Sequence, residues 1–515
     1  MKRNILFAIV MMTNMSMMAQ ETYENTKLAE IDLNGTAKYV GMGGAMEALG
    51  ADISTMSTNP AGIGLFRSSS ISGTISLVNQ QDAKSFSPGN KTNFSLDQVG
   101  FVYSSPNYDG TSFLNLGFTY RKSRNFNQIL SATAPLDNAS QNKLTYQKFR
   151  RDIFAYKTDL TYSQVDALYV ENLLYNKDED AYFYYPANMF QYDRAQEGYI
   201  GEYDLNISGN INNRVYLGVT FGIHDVHYKH YSEYSENFNT NQLNIDGLKM
   251  IDNRKITGTG TDIKFGIIVR PDESSPFRLG AYIHTPTWYE LQTSNHTKLT
   301  DNLVDVSNDE TYKYKIYTPW KFGVSAGHTI GNYLALGATY EYTDYSTTSN
   351  RIKENDYYYS FIDRAYSYSH KDVNMNDHTE VTLKGVSTVK LGAEYKPDAS
   401  LAVRLGYNYV SPMFDKQGSK DGTVVSPGTY YESETCYTNW KSTNRITAGI
   451  GWTATPHLTL DVAYQYSTTN GDFYPFMNYY ENGVDGMKSI EDNHCDATEV
   501  SFKRHQVLCT LSYKF

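Results

Sequence analysis

The sequence predicts an all-β protein, an antiparallel transmembrane β-barrel of about 14 strands, as expected for an even-numbered bacterial barrel. Three observations carry the prediction: apolar and polar residues alternate with a period of two, short and long connections alternate between the periodic segments, and aromatic residues are abundant. Of 515 residues, 46 are Tyr and 23 Phe, against 14 Pro and 3 Cys. Tyr suits a barrel, because a ring with a polar tip fits both the membrane interface and a wet lumen.

The chain begins with Lys2 and Arg3, an apolar run from Ile5 to Met12, and Ala19 before Gln20. This is the order of a secretory signal peptide over 1–19, and its apolar run is too short to span a bilayer as a helix. With no Cys at the cleavage position, a lipoprotein anchor is not expected. No later stretch of about 20 apolar residues occurs, so any membrane crossing must be made by strands. The low mean hydropathy, −0.52, is compatible with that. Net charge is −11, which excludes a nucleic-acid-binding surface as the main feature.

Residues 20–69 lack strand alternation and are too many for a tether. They contain the Gly-rich run Gly35 to Asp52 and then Asn59-Pro60-Ala61-Gly62. Small residues at this density allow close backbone packing, which predicts a compact plug inside the barrel.

From Ser70 to Phe515 the alternation is clear in Leu114/Leu116/Phe118/Tyr120, Val215/Leu217/Val219/Phe221, Leu401/Val403/Leu405/Tyr407 and Leu458/Leu460/Val462/Tyr464. The last strand places Val507, Cys509, Leu511, Tyr513 and Phe515 on one face. Tight turns at 210–213, 271–276, 330–332, 397–400 and 454–457 separate connections of about 20 to 75 residues, far beyond ordinary loops. Short and long alternate, which is the asymmetry between periplasmic turns and extracellular loops.

Periodicity also assigns faces. Arg278, His284, Glu341, Lys390, Glu394, Arg404, Arg445 and Asp461 fall inward and predict a polar lumen network, since Lys or Arg facing lipid costs roughly 2 to 4 kcal/mol at the midplane. Several inward positions are Gly, among them Gly117, Gly218, Gly266, Gly392, Gly406 and Gly449, leaving room for something inside.

Metal, nucleotide and catalytic signals are weak. His224, His227 and His230 are spaced three apart, so a strand points them to opposite faces. Gly41-Met-Gly-Gly44 has no preceding strand, unlike a dinucleotide-binding turn. No catalytic pair stands out, and no enzyme, metal or cofactor is expected. Cys436 and Cys495 lie in two long extracellular connections, where an exported protein can form a disulfide, so a bridge between them is possible.

The Gly-rich run ending in Ala51-Asp52, the Asn59–Gly62 motif, His284-Thr-Pro-Thr287 and Thr318-Pro-Trp-Lys321 together resemble the FadL/TodX family of outer-membrane transporters for hydrophobic compounds. The resemblance extends from about Gly35 to the carboxy terminus. It implies a monomeric barrel closed by an amino-terminal hatch, with Asn59, Pro60, Ala61 and Gly62 in a hatch or gating role. It further implies passive uptake of long-chain fatty acids or similar hydrophobes, and lateral release at a kink in the third strand, where Gly117 is the candidate. PorV-like relatives of the same family suggest a protein-interaction or secretion-system role as an alternative, and a haem-binding receptor is a further one.

Overall fold

Lipid and water impose opposite demands on successive side chains of a spanning strand, and fourteen strands of this chain satisfy both. They are β1 (Ser70–Gln81), β2 (Thr92–Pro106), β3 (Phe113–Asn125), β4 (Ala187–Ile211), β5 (Val215–Phe238), β6 (Gly247–Val269) and β7 (Arg278–His284). The second half comprises β8 (Lys321–Ile330), β9 (Leu334–Asp344), β10 (Gly385–Tyr395), β11 (Leu401–Val410), β12 (Tyr437–Thr453), β13 (Leu458–Tyr474) and β14 (Thr498–Lys514). In this computed structural model the described residues are 20–108, 110–151, 159–176, 179–238, 247–301, 304–353, 369–480 and 492–515. The expected signal peptide, 1–19, lies outside them.

Each strand pairs antiparallel with the next, and β1 pairs with β14 from Ser70↔Lys514 to Gln81↔Lys503, so the sheet closes into a 14-stranded barrel. Closure removes the free sheet edges that lipid would otherwise leave unpaired. The outer face carries the predicted apolar positions: Leu114, Leu217, Val324, Leu405, Ile446 and Leu511 are all exposed. Their repetition on strand after strand around the outside makes a contiguous apolar surface of the kind that faces lipid.

The barrel is taller on one side than the sequence suggests. β4, β5 and β6 are 25, 24 and 23 residues long, whereas a tilted strand needs only about 9–11 to cross a bilayer. Their upper parts pair with extra strands, Gln128–Ala139 against β4 and Trp288–Thr300 against β6. Asp305–Tyr317 then pairs with Trp288–Thr300. Much of the expected third and seventh-to-eighth connections is therefore sheet. The reason is that β7 and the strand above it are one stave broken at Thr285-Pro286-Thr287, and β8 is likewise broken from its upper part at Thr318-Pro319-Trp320. Pro supplies no N–H to a ladder, and the two breaks are tied together by Thr287 N donating to Thr318 Oγ1 (2.8 Å) and Thr318 N to Thr287 O (3.1 Å). Helices α2 (Gln141–Arg150) and α3 (Gln164–Tyr169) pack on this raised wall through Leu144, Leu168, Tyr169, Phe190 and Phe473.

Candidate functional site

Residues 20–66 are almost wholly buried and pack against the inward faces of the staves. Short helices need caps, and here polar side chains provide them. Thr36 accepts from Tyr39 N (3.0 Å), Asp52 from Ser54 N (2.9 Å) and Asn59 from Ala61 N (3.2 Å). Thr36 Oγ1 also donates to Asp52 Oδ2 (2.7 Å), joining two caps. Pro60 occupies the first turn of its helix, where a missing N–H costs nothing.

The inward glycines mark where this segment touches the wall. A methyl group at Gly406 would overlap Gly43 N, at Gly392 Met42 O, at Gly266 Asn59 Oδ1, at Gly218 the Pro60 carbonyl and at Gly117 the end of Met56. Gly449 stands against Gly41. Gly43 and Gly44 themselves have φ of +64° and +80°, which lets the chain turn back while its backbone lies on the sheet. Asn59 further donates from Nδ2 to Glu47 O (3.0 Å), and Ser208 Oγ donates to Pro60 O (2.8 Å). The motif Asn59–Gly62 thus lies against β4, β5 and β6.

The predicted polar network is inward and largely serves the same segment. Lys390 Nζ bridges Glu341 (3.0 Å) and Glu47 of the segment (2.9 Å). Arg278 donates to Leu49 O (3.0 Å), and the His284 ring meets Thr58 O (2.6 Å). Arg404 pairs with Glu394 and Asp461, each at 2.6 Å. Arg445 donates to Asn408 Oδ1 (2.8 Å) and lies 4.0 Å from Asp32. A second network surrounds Lys264, whose ammonium is 2.7 Å from Glu202 and 2.9 Å from both Asp204 and Asp262.

Above Ala37 the segment is held by ion pairs together with apolar packing. Helix α1 (Thr22–Ala29) places Glu24 2.7 Å from Arg254 and 2.6 Å from Lys27. Burial pushes the Glu24 carboxyl up, but Arg254 and Lys27 overcome this and hold it well below the usual carboxylate range. Tyr23 stacks on Phe414 at 5.1 Å. Beside α1 lies a cavity of about 210 Å³. Nine Lys or Arg and only four Asp or Glu line it, together with Leu33, Val386, Met413, Phe414, Trp440 and Phe502. The cavity is therefore amphipathic with an excess of positive charge.

One interval of the wall is incomplete at this level. The β2–β3 ladder ends at Gln98↔Arg121, although β2 continues up to Thr92 and β3 to Asn125. The open edge of β3 is taken by the amino-terminal segment: Asp32 N donates to Ser123 O (2.8 Å), Asn125 N to Asp32 Oδ2 (2.9 Å) and Asn34 Nδ2 to Lys122 O (3.0 Å). Higher up, Gln80 of β1 exchanges two hydrogen bonds with Ile129 (2.7 and 2.8 Å). Burial raises the Asp32 carboxyl, yet Arg504, Arg124, Arg445 and the Asn125 amide bring it down to about 2.

Several sequence expectations take a different form. Gly117 sits in unbroken register against both β2 and β4, while the third strand's irregularity falls between Lys122 and Arg124. Cys436 and Cys495 are free thiols, buried in one hydrophobic cluster, rather than bridged. His224 and His230 point inward and His227 outward, as strand parity requires. Each inward His meets two carboxylates, Glu202 with Asp262 and Asp252 with Glu434. Lys264 and Arg254 already supply the positive charge there, so neither set fits a metal well. Asp32, Glu47, Arg124 and Arg504 were not singled out from sequence. Arg504 shares the parity of inward Gln506, and that was the available signal.

A closed fourteen-stave transmembrane barrel with its own amino-terminal segment in the lumen is thus defined. No family model matches the sequence, and no curated protein matches it. Solved structures do match in fold: a Pseudomonas aeruginosa FadL homologue at TM-score 0.52 and 12% identity, covering 94% of this chain and 99% of that one, and the CymD monoaromatic hydrocarbon channel at TM-score 0.50 and 10% identity, with coverages of 94% and 99%. The fold is that of the FadL/TodX-type barrels.

Proposed function

We propose that this protein is a monomeric bacterial outer-membrane channel for the passive uptake of hydrophobic compounds, long-chain fatty acids among them, exported by a signal peptide over 1–19. Residues 20–69 act as its hatch, seated by Asn59, Pro60, Ala61 and Gly62, and no cofactor takes part. The observation that carries this reading is the pairing of a stoppered lumen with an amphipathic cavity next to an interval of wall that the hatch itself completes. An open diffusion pore has no use for such a stopper. The solved structures sharing the fold bear the names of a FadL homologue and a hydrocarbon channel, which agrees with this reading.

Mass spectrometry of small molecules and proteins retained after gentle extraction from outer membranes tests it. A fatty acid or another apolar compound in near-stoichiometric amount supports uptake. A protein partner recovered without any hydrophobe favours instead an interaction role, for which the raised extracellular wall offers the surface.

A further inference from the structure

Above the lipid, strand register gives the outer face of the raised wall a charge pattern of its own. Ile223 is the last exposed apolar residue of β5, and Lys229 faces the same way further up the strand. At about 3.3 Å per residue and a tilt near 40°, Lys229 stands roughly 15 Å above the apolar band. On the neighbouring β6, Lys255 lies directly opposite Lys229, and both are exposed. Like charges placed directly opposite repel, and among the described residues neither lysine forms an ion pair. Glu197 of β4 flanks Lys229 in the same cross-strand row, and Ser294 and Thr311 extend it beyond Lys255. The row beneath carries His227, Thr257, Gln292 and Lys313, and the His227 ring is taken up by Asp225 at 2.9 Å. Lys229, Lys255 and Lys313 thus face the single acid Glu197 across these two rows, in a chain whose net charge is −11. On the β4 side this face is bounded by the 82–91 connection, where Phe86 stacks on Tyr231 at 5.9 Å and Lys84 lies 3.0 Å from Asp193.

We propose that this outer face of β5 and β6 binds the anionic, many-sugar head of a glycolipid in the outer leaflet, with a phosphate of that head seated between Lys229 and Lys255. Height selects the partner. The head layer of a simple phospholipid is only about 5–8 Å deep, so its phosphate stays well below both lysines, whereas a head built of several sugars rises to them. Chemistry agrees with height. An ammonium is a point charge that meets a phosphate from any direction, and an anion between the two lysines turns their repulsion into attraction for both. The hydroxyl and amide side chains of Thr257, Ser294 and Gln292 lie alongside and can donate to or accept from sugar hydroxyls. Glu197 sits at one end of the row and leaves the Lys255 side open. The proposal rests on the outer-membrane barrel and is independent of what crosses the lumen.

The test titrates the full-length barrel in mild detergent with three probes and counts bound lipids by native mass spectrometry: rough lipopolysaccharide with a phosphorylated core, lipid A alone, and phosphatidylglycerol. The lipopolysaccharide should bind about tenfold more tightly than either short-headed lipid, as the attraction of two lysines implies. Lys229→Gln/Lys255→Gln should bring it down to the level of lipid A, while Lys229→Arg/Lys255→Arg, which keeps both charges, should hold the wild-type affinity. Added salt should weaken the wild type more than the Gln variant, because the lysines are exposed and screened. Both side chains point away from the lumen and the cores, so unchanged heat-dependent gel migration is expected of each variant and shows that the barrel is intact. Equal lipopolysaccharide affinity in the wild type and the Gln variant overturns the site. Lipid A binding as tightly as lipopolysaccharide overturns the many-sugar head as the partner, and so does phosphatidylglycerol doing the same. If no probe is retained, the face is not a glycolipid surface.

Discussion

Residues 37–65 and residues 20–34 share one lumen but are held in it by different forces. The lower part lies backbone to backbone on the barrel wall, where Gly392, Gly406 and Gly449 admit Met42, Gly43 and Gly41, and a single buried ion pair, Glu47 with Lys390, is added to that packing. The upper part touches the wall through side chains, with Asp32 among three arginines, Glu24 on Arg254, and Tyr23 and Leu28 in apolar clusters. Close packing has no alternative partner once formed, because a Cβ or a shift of an ångström abolishes it. An ion pair can be exchanged for another of the same sign. The same chain therefore contains a fixed base and a replaceable latch.

Four substitutions or conditions break or sharpen that contrast. The largest effect should come from Lys390→Met, which leaves Glu47 and Glu341 buried without their cation at a cost of about 3–5 kcal/mol. It should lower the temperature at which the folded barrel loses its fast migration on a gel and should open a steady conductance in planar bilayers. Next, Gly392→Leu overpacks the base by about 1–3 kcal/mol, and the expected result is intermittent conductance from a barrel of unchanged thermal stability. If this variant stays as silent as the wild type, the base is not what closes the lumen. Glu24→Gln should act on the latch alone: amide exchange over 20–29 speeds by the equivalent of about 1–3 kcal/mol, with exchange over 37–65 unaltered.

The smallest effect is that of pH. Asp32 ionises at about 2 in the folded protein, against about 3.9 when free. Its contribution is thus full above pH ~4 and is lost as pH falls toward ~2. Pepsin should leave residues 20–34 intact at pH 4 and cut them at pH 2. Cutting at pH 4 would mean that the carboxylate is not the anchor.

The contrast also explains what could be read from the sequence. Every stave in the bilayer was legible because lipid demands apolar residues on alternate positions, and Leu114, Val219 and Leu405 obey. Above the membrane that demand ends. In His227-Tyr-Lys-His-Tyr-Ser-Glu-Tyr of β5, both faces are polar or aromatic, so a strand 24 residues long reads as one that stops early. The wall glycines pointed to a close internal partner, and one is there. The latch was not legible, since Asp32 is one carboxylate in a short polar run and its arginines stand about 92, 413 and 472 residues away in sequence, where only three-dimensional closure brings them together. The third strand's irregularity falls in Arg121-Lys-Ser-Arg-Asn125, a run without Gly or any other mark of a bend, which is why Gly117 attracted attention instead.

The height of β4, β5 and β6 constrains the proposed uptake. At about 3.3 Å per residue and a tilt near 40°, 25 residues rise roughly 60 Å, about twice the hydrocarbon thickness. On that side the rim stands roughly 30 Å above the hydrocarbon layer, whereas the β2–β3 ladder already ends at Gln98↔Arg121 while exposed apolar residues continue on β2 through Leu96 to Phe94. If the protein takes up hydrophobes as proposed, a molecule already dissolved in the membrane would lie below the rim of this tall wall. Under that proposal, what enters over the tall side would be captured from water, or from a carrier that reaches the rim, and not from the membrane itself.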